Sequence, residues 1–293
     1  MSVLINENTS VLVQGLTSYT AKKHAINMRA NNTRIIAGVS PGKGGSYVED
    51  WPIYDTVRQA LNKHTIDLSI IYAPPQSAAN AIIESIESEI KIIVCVTEGI
   101  PKLDMLKVYE KLSKSKTRLL GPCTPGITVP GKTKIGFLPD IITLPGNVGV
   151  VGKSGTLTYE ICYQLTKEGI GQSTIMGIGG DPIRGTSFKE VLKLFNEDGE
   201  TDYIVMVGEI GGNDEEEAAT FLDNNNSKPV VAYIAGRTAP KDVPMGHAGA
   251  LIANNQGGYA QKIQYLQESG VQVATSISEV VTILKKMMGE KKK

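Results

Sequence analysis

The feature that most constrains the fold is an alternation of short β-branched runs with longer segments of helical period. In the first half the runs are VLVQG (11–15), RIIAGV (34–39), DLSIIYA (67–73), KIIVCV (91–96) and RLLGP (118–122). The candidate helices between them lie at 20–30, 56–63, 76–88 and 103–114. Apolar strands that alternate with helices pair in parallel in a sheet covered on both faces. The first half is therefore predicted to be a Rossmann-like α/β domain.

A second open α/β sheet is predicted after residue 146, where the same alternation restarts. Its runs are NVGVVGK (147–153), STIMGIG (173–179), DYIVMVGEI (202–210), PVVAYIAG (229–236) and VQVAT (271–275). At 293 residues the chain exceeds the usual size of one hydrophobic core. The stretch 121–146 is rich in Gly and Pro and carries little periodicity. We expect one domain at 1–125, a connector at 126–146 and a second domain at 147–293.

Charge and cysteine content exclude several classes of protein. Basic and acidic residues number 30 each, and no basic stripe interleaved with aromatic residues occurs, so nucleic acid is not an expected partner. The cysteines Cys95, Cys123 and Cys162 show no CxxC spacing, which indicates a reducing compartment and predicts no metal site. No signal segment and no apolar run of about 18 residues is evident, so we expect a cytoplasmic protein that does not enter a membrane.

The strand ends of the second half carry polar groups of the kinds that bind phosphate. The segment VVGKSGTLTYE (150–160) turns from strand to helix through Ser154, Gly155 and Thr156. Backbone N–H groups, hydroxyls and a helix dipole at one point suit a phosphate or a carboxylate. The same Ser also fits an ordinary helix cap. Both interpretations remain open at this point.

Glu209 and His247 are candidates for the chemistry. Glu209 ends a strand at the glycine-bounded turn GEIGG (208–212), and His247 follows the next strand within MGHAGA (245–250). The carboxyl ends of parallel strands meet at one edge of a sheet, where ligands bind. A neutral imidazole attacks a phosphoryl group with one nitrogen while a carboxylate accepts from the other and fixes the tautomer. We predict that His247 is a nucleophile oriented by Glu209, and that His24 and His64 are packed or capping residues.

Several segments in order resemble the α subunits of the succinyl-CoA synthetase (succinate–CoA ligase) family. They are PGKGG (41–45), TEGIP (97–101), GPCTPG (121–126), GKSGTLTYE (152–160), GIGGDPIRG (177–185), GEIGG (208–212) and TAPKDVPMGHAGALI (238–252). The resemblance covers essentially the whole chain. It implies a CoA-binding Rossmann-like domain followed by a flavodoxin-like ligase domain.

The activity that the resemblance implies is the formation of succinyl-CoA from succinate, CoA and a nucleoside triphosphate, through an acyl phosphate and a phosphohistidine. The resemblance also implies a β subunit whose ATP-grasp domain holds ATP or GTP with Mg²⁺, since this chain has no P-loop signature. Neither nucleic acid nor a membrane is expected as a partner.

The resemblance also assigns residues to ligands. The residues that would contact CoA follow strands of the first half and are Thr17, Ser18, Tyr19, Thr20, Lys43, Val96, Thr97 and Glu98. Ser154, Gly155 and Thr156 would hold phosphate, and Tyr159 would face the acid substrate. His247 would carry the phosphoryl group, and Glu209 would position it.

The chain departs from the family pattern at three places. The loop TSYTAKKHA (17–25) replaces a Gly-Ser-Gln-Gly type turn, so side chains stand where CoA approaches, and Lys22 and Lys23 offer positive charge or form an exposed helix face. Lys153 stands in place of the usual Arg, and Cys123 in place of the usual Asn.

Other functions fit parts of the sequence. One alternative is a ligase for a related dicarboxylic acid such as malate, because the choice of acid depends on few residues and partly on the partner chain. A nicotinamide-dependent dehydrogenase fits less well, because the first turn, QGLTSYTA (14–21), lacks GxGxxG and no acidic residue ends the second strand. A CoA-binding regulator that uses no nucleotide would not need MGHAGA.

Overall fold

The computed structural model describes residues 3–223, 227–253 and 256–290, which divide into two compact α/β units. The N-terminal unit consists of Leu4–Phe137 with the short segment Ile183–Thr186. The C-terminal unit contains Leu138–Pro182 and the chain from Ser187 onward. The predicted fold class, two successive α/β units, is confirmed.

The N-terminal unit is built on a sheet with the strand order β3-β4-β2-β1-β5-β6-β7. Its strands are β1 (Ser10–Gln14), β2 (Arg34–Val39), β3 (Tyr47–Val48), β4 (Trp51–Tyr54), β5 (Leu68–Ile71), β6 (Ile92–Cys95) and β7 (Arg118–Leu120). Its helices are α1 (Tyr19–Ala30), α2 (Val57–Leu61), α3 (Pro75–Glu87) and α4 (Lys102–Leu112). Neighbouring strands are parallel except for the edge pair β3 and β4. Without β3, this is the 3-2-1-4-5-6 order of the Rossmann fold.

The first part of the predicted connector at 126–146 forms a β-hairpin. Strands β8 (Gly126–Val129) and β9 (Thr133–Gly136) are antiparallel, with Gly126 opposite Gly136. Both glycines have positive φ, and a Cβ on Gly126 would overlap the carbonyl oxygen of Ile135, while one on Gly136 would overlap that of Pro125, the residue before β8. The glycines that suggested a loop are therefore required by the close approach of two short strands.

The C-terminal unit contains a parallel sheet in which the strand order is β14-β13-β12-β10-β11. These strands are β10 (Pro145–Gly152), β11 (Gln172–Gly177), β12 (Tyr203–Glu209), β13 (Val230–Ala235) and β14 (Gln272–Ala274). The helices are α5 (Gly155–Lys167), α6 (Phe188–Glu197), α7 (Asp214–Asp223), α8 (Tyr259–Glu268) and α9 (Ile277–Glu290), with a 3-10 turn at Asp140–Ile142. Counted from β10, this is the flavodoxin-like order 2-1-3-4-5, whose switch point lies between β10 and β12.

Burial explains why the central strands of the C-terminal unit are rich in apolar residues. Every residue of β11 and β12 is buried, and Val148 and Val150 of β10 pack in one cluster with Leu165 of α5 and Leu284 of α9. Strands covered on both faces leave no position for a solvated side chain. Among the described residues, no helix is long and apolar enough to cross a membrane.

Candidate functional site

The candidate site lies at the carboxyl edge of the sheet of the C-terminal unit. Gly152 at the end of β10 pairs with Gly177 of β11 on one side and with Val207 of β12 on the other. The loops that follow these three strands therefore begin side by side. Open α/β sheets bind their ligands at this edge, next to the switch point.

Ser154 caps the helix that follows β10. It is the N-cap of α5, and its side chain accepts a hydrogen bond from the backbone N–H of Leu157 at 3.3 Å. Gly155 is half-buried and begins the helix, and Thr156 is exposed. The first N–H groups of a helix have no partner within it and form the positive end of its dipole. The capping interpretation is thus confirmed, and it is compatible with a phosphate at the same turn, which stays a prediction.

His247 and Glu209 are in direct contact. The imidazole Nδ1 lies 2.7 Å from Oε2 of Glu209, which is buried at the last residue of β12. The histidine side chain is 23% exposed. A carboxylate that accepts from Nδ1 fixes the neutral imidazole in the tautomer with its proton on Nδ1 and its lone pair on Nε2. The structure contains the predicted contact, and the catalytic roles of the two residues stay a prediction.

The loop that carries His247 packs on the loop after β12. Ala250 and Ile252 form a small buried cluster with Ile210, the residue after Glu209. The backbone N–H of Ala250 donates to the carbonyl of His247 at 3.1 Å, and Gly246 supplies the positive φ that this tight turn requires. These contacts hold the imidazole over the end of β12.

Gly180, in the loop after β11, lies directly against the imidazole. A Cβ at this position would stand 2.5 Å from Nδ1 and from Cδ2 of His247, closer than real Cβ contacts come. Because β11 and β12 flank β10, His247 reaches from the loop after β11 to the end of β12. The ring therefore lies between Gly180 and Glu209, in the region that follows the two strands on either side of β10.

We expect Gly180→Ala to slow the predicted phosphorylation of His247. The added methyl group displaces the ring from Glu209, and a misplacement of about 1 Å costs about a hundredfold in rate. The measurement is the rate of label transfer from a γ-labelled nucleoside triphosphate to the purified complex with the partner subunit. Gly199→Ala is the matched control, since a Cβ there meets nothing within 4 Å. An unchanged rate in Gly180→Ala would show that the ring works from another position.

Tyr159 lies one turn into α5, beyond the Ser154 turn. Its side chain is half-buried and packs against the core cluster of the C-terminal unit, and this burial raises the pKa of its hydroxyl. The hydroxyl therefore remains protonated at neutral pH and is able to donate a hydrogen bond. Its predicted contact with the acid substrate stays a prediction.

The predicted CoA residues follow strands of the N-terminal unit and share one edge of its sheet. Thr17, Ser18, Tyr19 and Thr20 are exposed after β1, Lys43 is exposed after β2, and Val96, Thr97 and Glu98 follow β6. Hydrogen bonds join the loops: the Thr17 hydroxyl donates to Ser40 Oγ at 3.1 Å, and the Thr97 hydroxyl donates to the carbonyl of Ala73, after β5, at 2.6 Å.

The first turn of α1 offers polar groups to an anionic ligand, although one of its two lysines already forms an ion pair within the protein. Ser18 is the N-cap of α1 and accepts from the backbone of Ala21. Lys22 forms an ion pair with Glu49 at 2.7 Å, so its charge is already paired, and Lys23 is exposed. The exposed hydroxyls, Lys43 and the helix N-terminus fit the phosphates of CoA.

His24 and His64 are packed as predicted. The ring of His24 stacks on Tyr72 with 5.8 Å between ring centroids, and burial and the nearby Lys23 and Lys134 lower its pKa. His64 Nε2 lies 2.9 Å from the hydroxyl of Tyr54.

Sequence reasoning missed Gly180, Glu215 and Lys262. GIGGDPIRG was noted as a family segment, but a single sequence does not tell which of its glycines touches an imidazole. Glu215 stands in the run DEEE (214–217), which is typical of a solvated helix N-terminus. In the structure, Glu215 and Lys262 are both fully buried.

Comparison with known proteins matches both halves of the chain. Residues 6–99 match a family model described as a CoA binding domain, and residues 151–283 match one described as CoA-ligase. The chain is 50% identical over 284 residues to the succinate–CoA ligase [ADP-forming] subunits alpha of Staphylococcus epidermidis and of Staphylococcus aureus. These alignments cover 97% of this chain and 94% of each relative.

Solved structures share the fold at lower identity. ATP citrate lyase from Methanothrix soehngenii, in complex with citrate and coenzyme A, aligns with a TM-score of 0.85 at 24% identity, over 97% of this chain and 51% of that chain. The dinucleotide forming acetyl-coenzyme A synthetase 1 of Ca. Korarchaeum cryptofilum, in complex with phosphate and ADP, aligns with a TM-score of 0.76 at 19% identity, over 94% and 59% of the two chains. With half of its residues identical to the curated relatives over nearly their full length, the chain belongs to the family of succinate–CoA ligase α subunits.

Proposed function

We propose that this chain is the phosphohistidine-carrying subunit of a ligase that converts succinate, CoA and a nucleoside triphosphate into succinyl-CoA, nucleoside diphosphate and phosphate. The observation that carries the proposal is the 2.7 Å contact between His247 Nδ1 and Glu209 at the carboxyl edge of the sheet, the edge at which β10 also ends and is followed by α5. The names of the relatives support succinate as the acid and ADP as the nucleotide product.

The chemistry consists of three transfers that use residues of this chain. His247 Nε2 attacks the γ-phosphorus of the nucleotide and the bond to the nucleoside diphosphate breaks. A carboxylate oxygen of succinate then takes the phosphoryl group from the imidazole, and the thiolate of CoA displaces phosphate from the acyl carbon. Glu209 accepts a hydrogen bond from Nδ1–H and balances the positive charge that develops on the ring. Ser154, Gly155 and Thr156 offer backbone and hydroxyl donors to the phosphoryl oxygens.

The remaining ligands are assigned to three places. CoA is bound at the edge formed by Thr17, Ser18, Tyr19, Thr20, Lys43, Val96, Thr97 and Glu98. Tyr159 donates to the acid substrate. ATP or GTP with Mg²⁺ is held by the ATP-grasp domain of a β subunit. We place the complex in the cytoplasm, because the cysteines Cys95, Cys123 and Cys162 show no CxxC spacing, which fits a reducing compartment.

An assay of the purified complex with its β subunit tests the function. Thioester formation is measured with ATP or GTP, CoA and a series of dicarboxylic acids that includes succinate and malate. We expect the highest kcat/KM with succinate, together with release of one phosphate per thioester. A preference for malate would assign the enzyme to that acid, and no thioester with any acid would contradict the proposal.

A further inference from the structure

A cluster of buried charges lies beneath the candidate site. Lys153, Glu215 and Lys262 are each at most 3% exposed. Glu215 Oε1 lies 2.7 Å from Lys153 Nζ, and its Oε2 lies 2.7 Å from Lys262 Nζ. Burial alone would raise the pKa of the Glu215 carboxyl, but the two ammonium groups outweigh that effect and hold this pKa at about 2. The carboxylate is therefore ionised at neutral pH.

Glu215 joins the two loops that carry the chemistry. Its Oε1 also accepts the backbone N–H of Glu209 at 3.1 Å. The same oxygen thus holds Lys153, the residue before the Ser154 turn, and the backbone of the residue that contacts His247. A single carboxylate oxygen sets the spacing between the two loops.

Lys262 fixes the same loop from the other side. Its ammonium donates to the carbonyl of Gly212 at 2.9 Å, to Glu215 Oε2 at 2.7 Å and to Glu216 Oε2 at 2.8 Å. An ammonium has three N–H donors, so all of them are used. The loop from Glu209 to Gly212 is therefore held at its first residue by Glu215 and at its last by Lys262.

Stability alone does not account for such a cluster. In many proteins the free-energy cost of desolvating two buried charges exceeds the gain from their attraction. Apolar residues of similar volume therefore often replace buried ion pairs without loss of stability. A carboxylate with well-placed cations does, however, fix direction and distance more sharply than apolar packing does. The cluster thus fits a requirement for geometry.

We propose that Glu215, held by Lys153 and Lys262, is a positioning residue that keeps Glu209, and through it His247, aligned with the Ser154 turn for phosphoryl transfer. The part of this inference that concerns phosphoryl transfer rests on the proposed function. The part that concerns alignment is a property of the folded chain and is measurable without turnover.

The test compares Glu215→Gln with wild type in the complex with the β subunit. Glutamine keeps the size of the side chain but sets an amide in place of the carboxylate between two ammonium groups. We expect phosphorylation of His247 to slow about a hundredfold, as misalignment of a nucleophile predicts. The ¹⁵N chemical shifts of the His247 ring should move from one tautomer, with the proton on Nδ1, toward a mixture of two.

Lys262→Met supplies a second variant if Glu215→Gln does not fold. It removes the hold on Gly212 and leaves the pair of Glu215 with Lys153, so we expect about a tenfold slower rate and a smaller change in the ring spectrum. Leu284→Ala is the matched control, because it opens a cavity in the apolar core of the same unit, on α9, and removes none of the ion pairs of Lys153, Glu215 and Lys262. Below its melting temperature, this control should phosphorylate at the wild-type rate and retain the wild-type ring spectrum.

The outcomes separate this inference from the proposed function. If the folded cluster variants keep the wild-type tautomer and rate, or if Leu284→Ala slows phosphorylation as much as they do, Glu215 contributes only stability and the inference is overturned. If the wild-type complex takes no label, the proposed function fails, and the ring spectrum alone then decides whether Glu215 aligns His247.

Discussion

Replacement of His247 by asparagine is expected to abolish the transfer of label from a γ-labelled nucleoside triphosphate to this chain. Asparagine has no nitrogen with a free lone pair, so no phosphoramidate bond forms, and the overall rate should fall by at least about three orders of magnitude. In the wild-type complex the label should be labile in acid and stable in base, as phosphohistidine is. Gel autoradiography after acid and base treatment checks both statements.

His64→Asn is the control for this replacement. That histidine contacts Tyr54 in the N-terminal unit, so its loss should leave labelling intact. Label that persists in His247→Asn would place the phosphoryl group on another residue. Thioester formation that continues without any label would remove the phosphohistidine from the mechanism.

The alternation of elements could be predicted because strand and helix periods are local properties. The predicted helix at 20–30 is observed as Tyr19–Ala30, and the run at 202–210 contains Tyr203–Glu209. The strands Tyr47–Val48, at the edge of the sheet, and Trp51–Tyr54, next to it, were missed, since they are two and four residues long and the second contains Pro52. Short edge strands carry too few alternations to produce a periodic signal.

The contact between Glu209 and His247 could also be anticipated. The residues are 38 positions apart, but both follow neighbouring parallel strands, and the topology rule brings those ends to one edge. No such rule predicts the ion pair of Glu215 with Lys262, which are 47 positions apart. It depends on which faces of α7 and α8 turn toward each other, and a charged residue at a helix start normally indicates a solvated face.

Glu209→Gln should slow phosphorylation of His247 by about 10² to 10⁴-fold while the protein stays folded. The amide oxygen still accepts a hydrogen bond from Nδ1, but it carries no charge to balance the ring as its nitrogen bonds to phosphorus. The amide nitrogen is also able to donate to Nδ1, which would stabilise the tautomer with the proton on Nε2, the nitrogen that must attack. Because Glu215 holds Glu209 through its backbone N–H, the substitution leaves that contact in place.

Single-turnover labelling and thermal unfolding of the same preparations separate catalysis from stability in this variant. Glu217→Gln is the matched control. Glu217 is an exposed carboxylate on the adjoining helix that accepts a hydrogen bond from Asn213, and its replacement removes the same charge from the same region. If Glu209 acted only through the electrostatic effect of a nearby negative charge, the two variants should have similar phosphorylation rates. A large effect confined to Glu209→Gln would instead tie the rate to the 2.7 Å contact with Nδ1, while unchanged kinetics would remove the orienting role of Glu209.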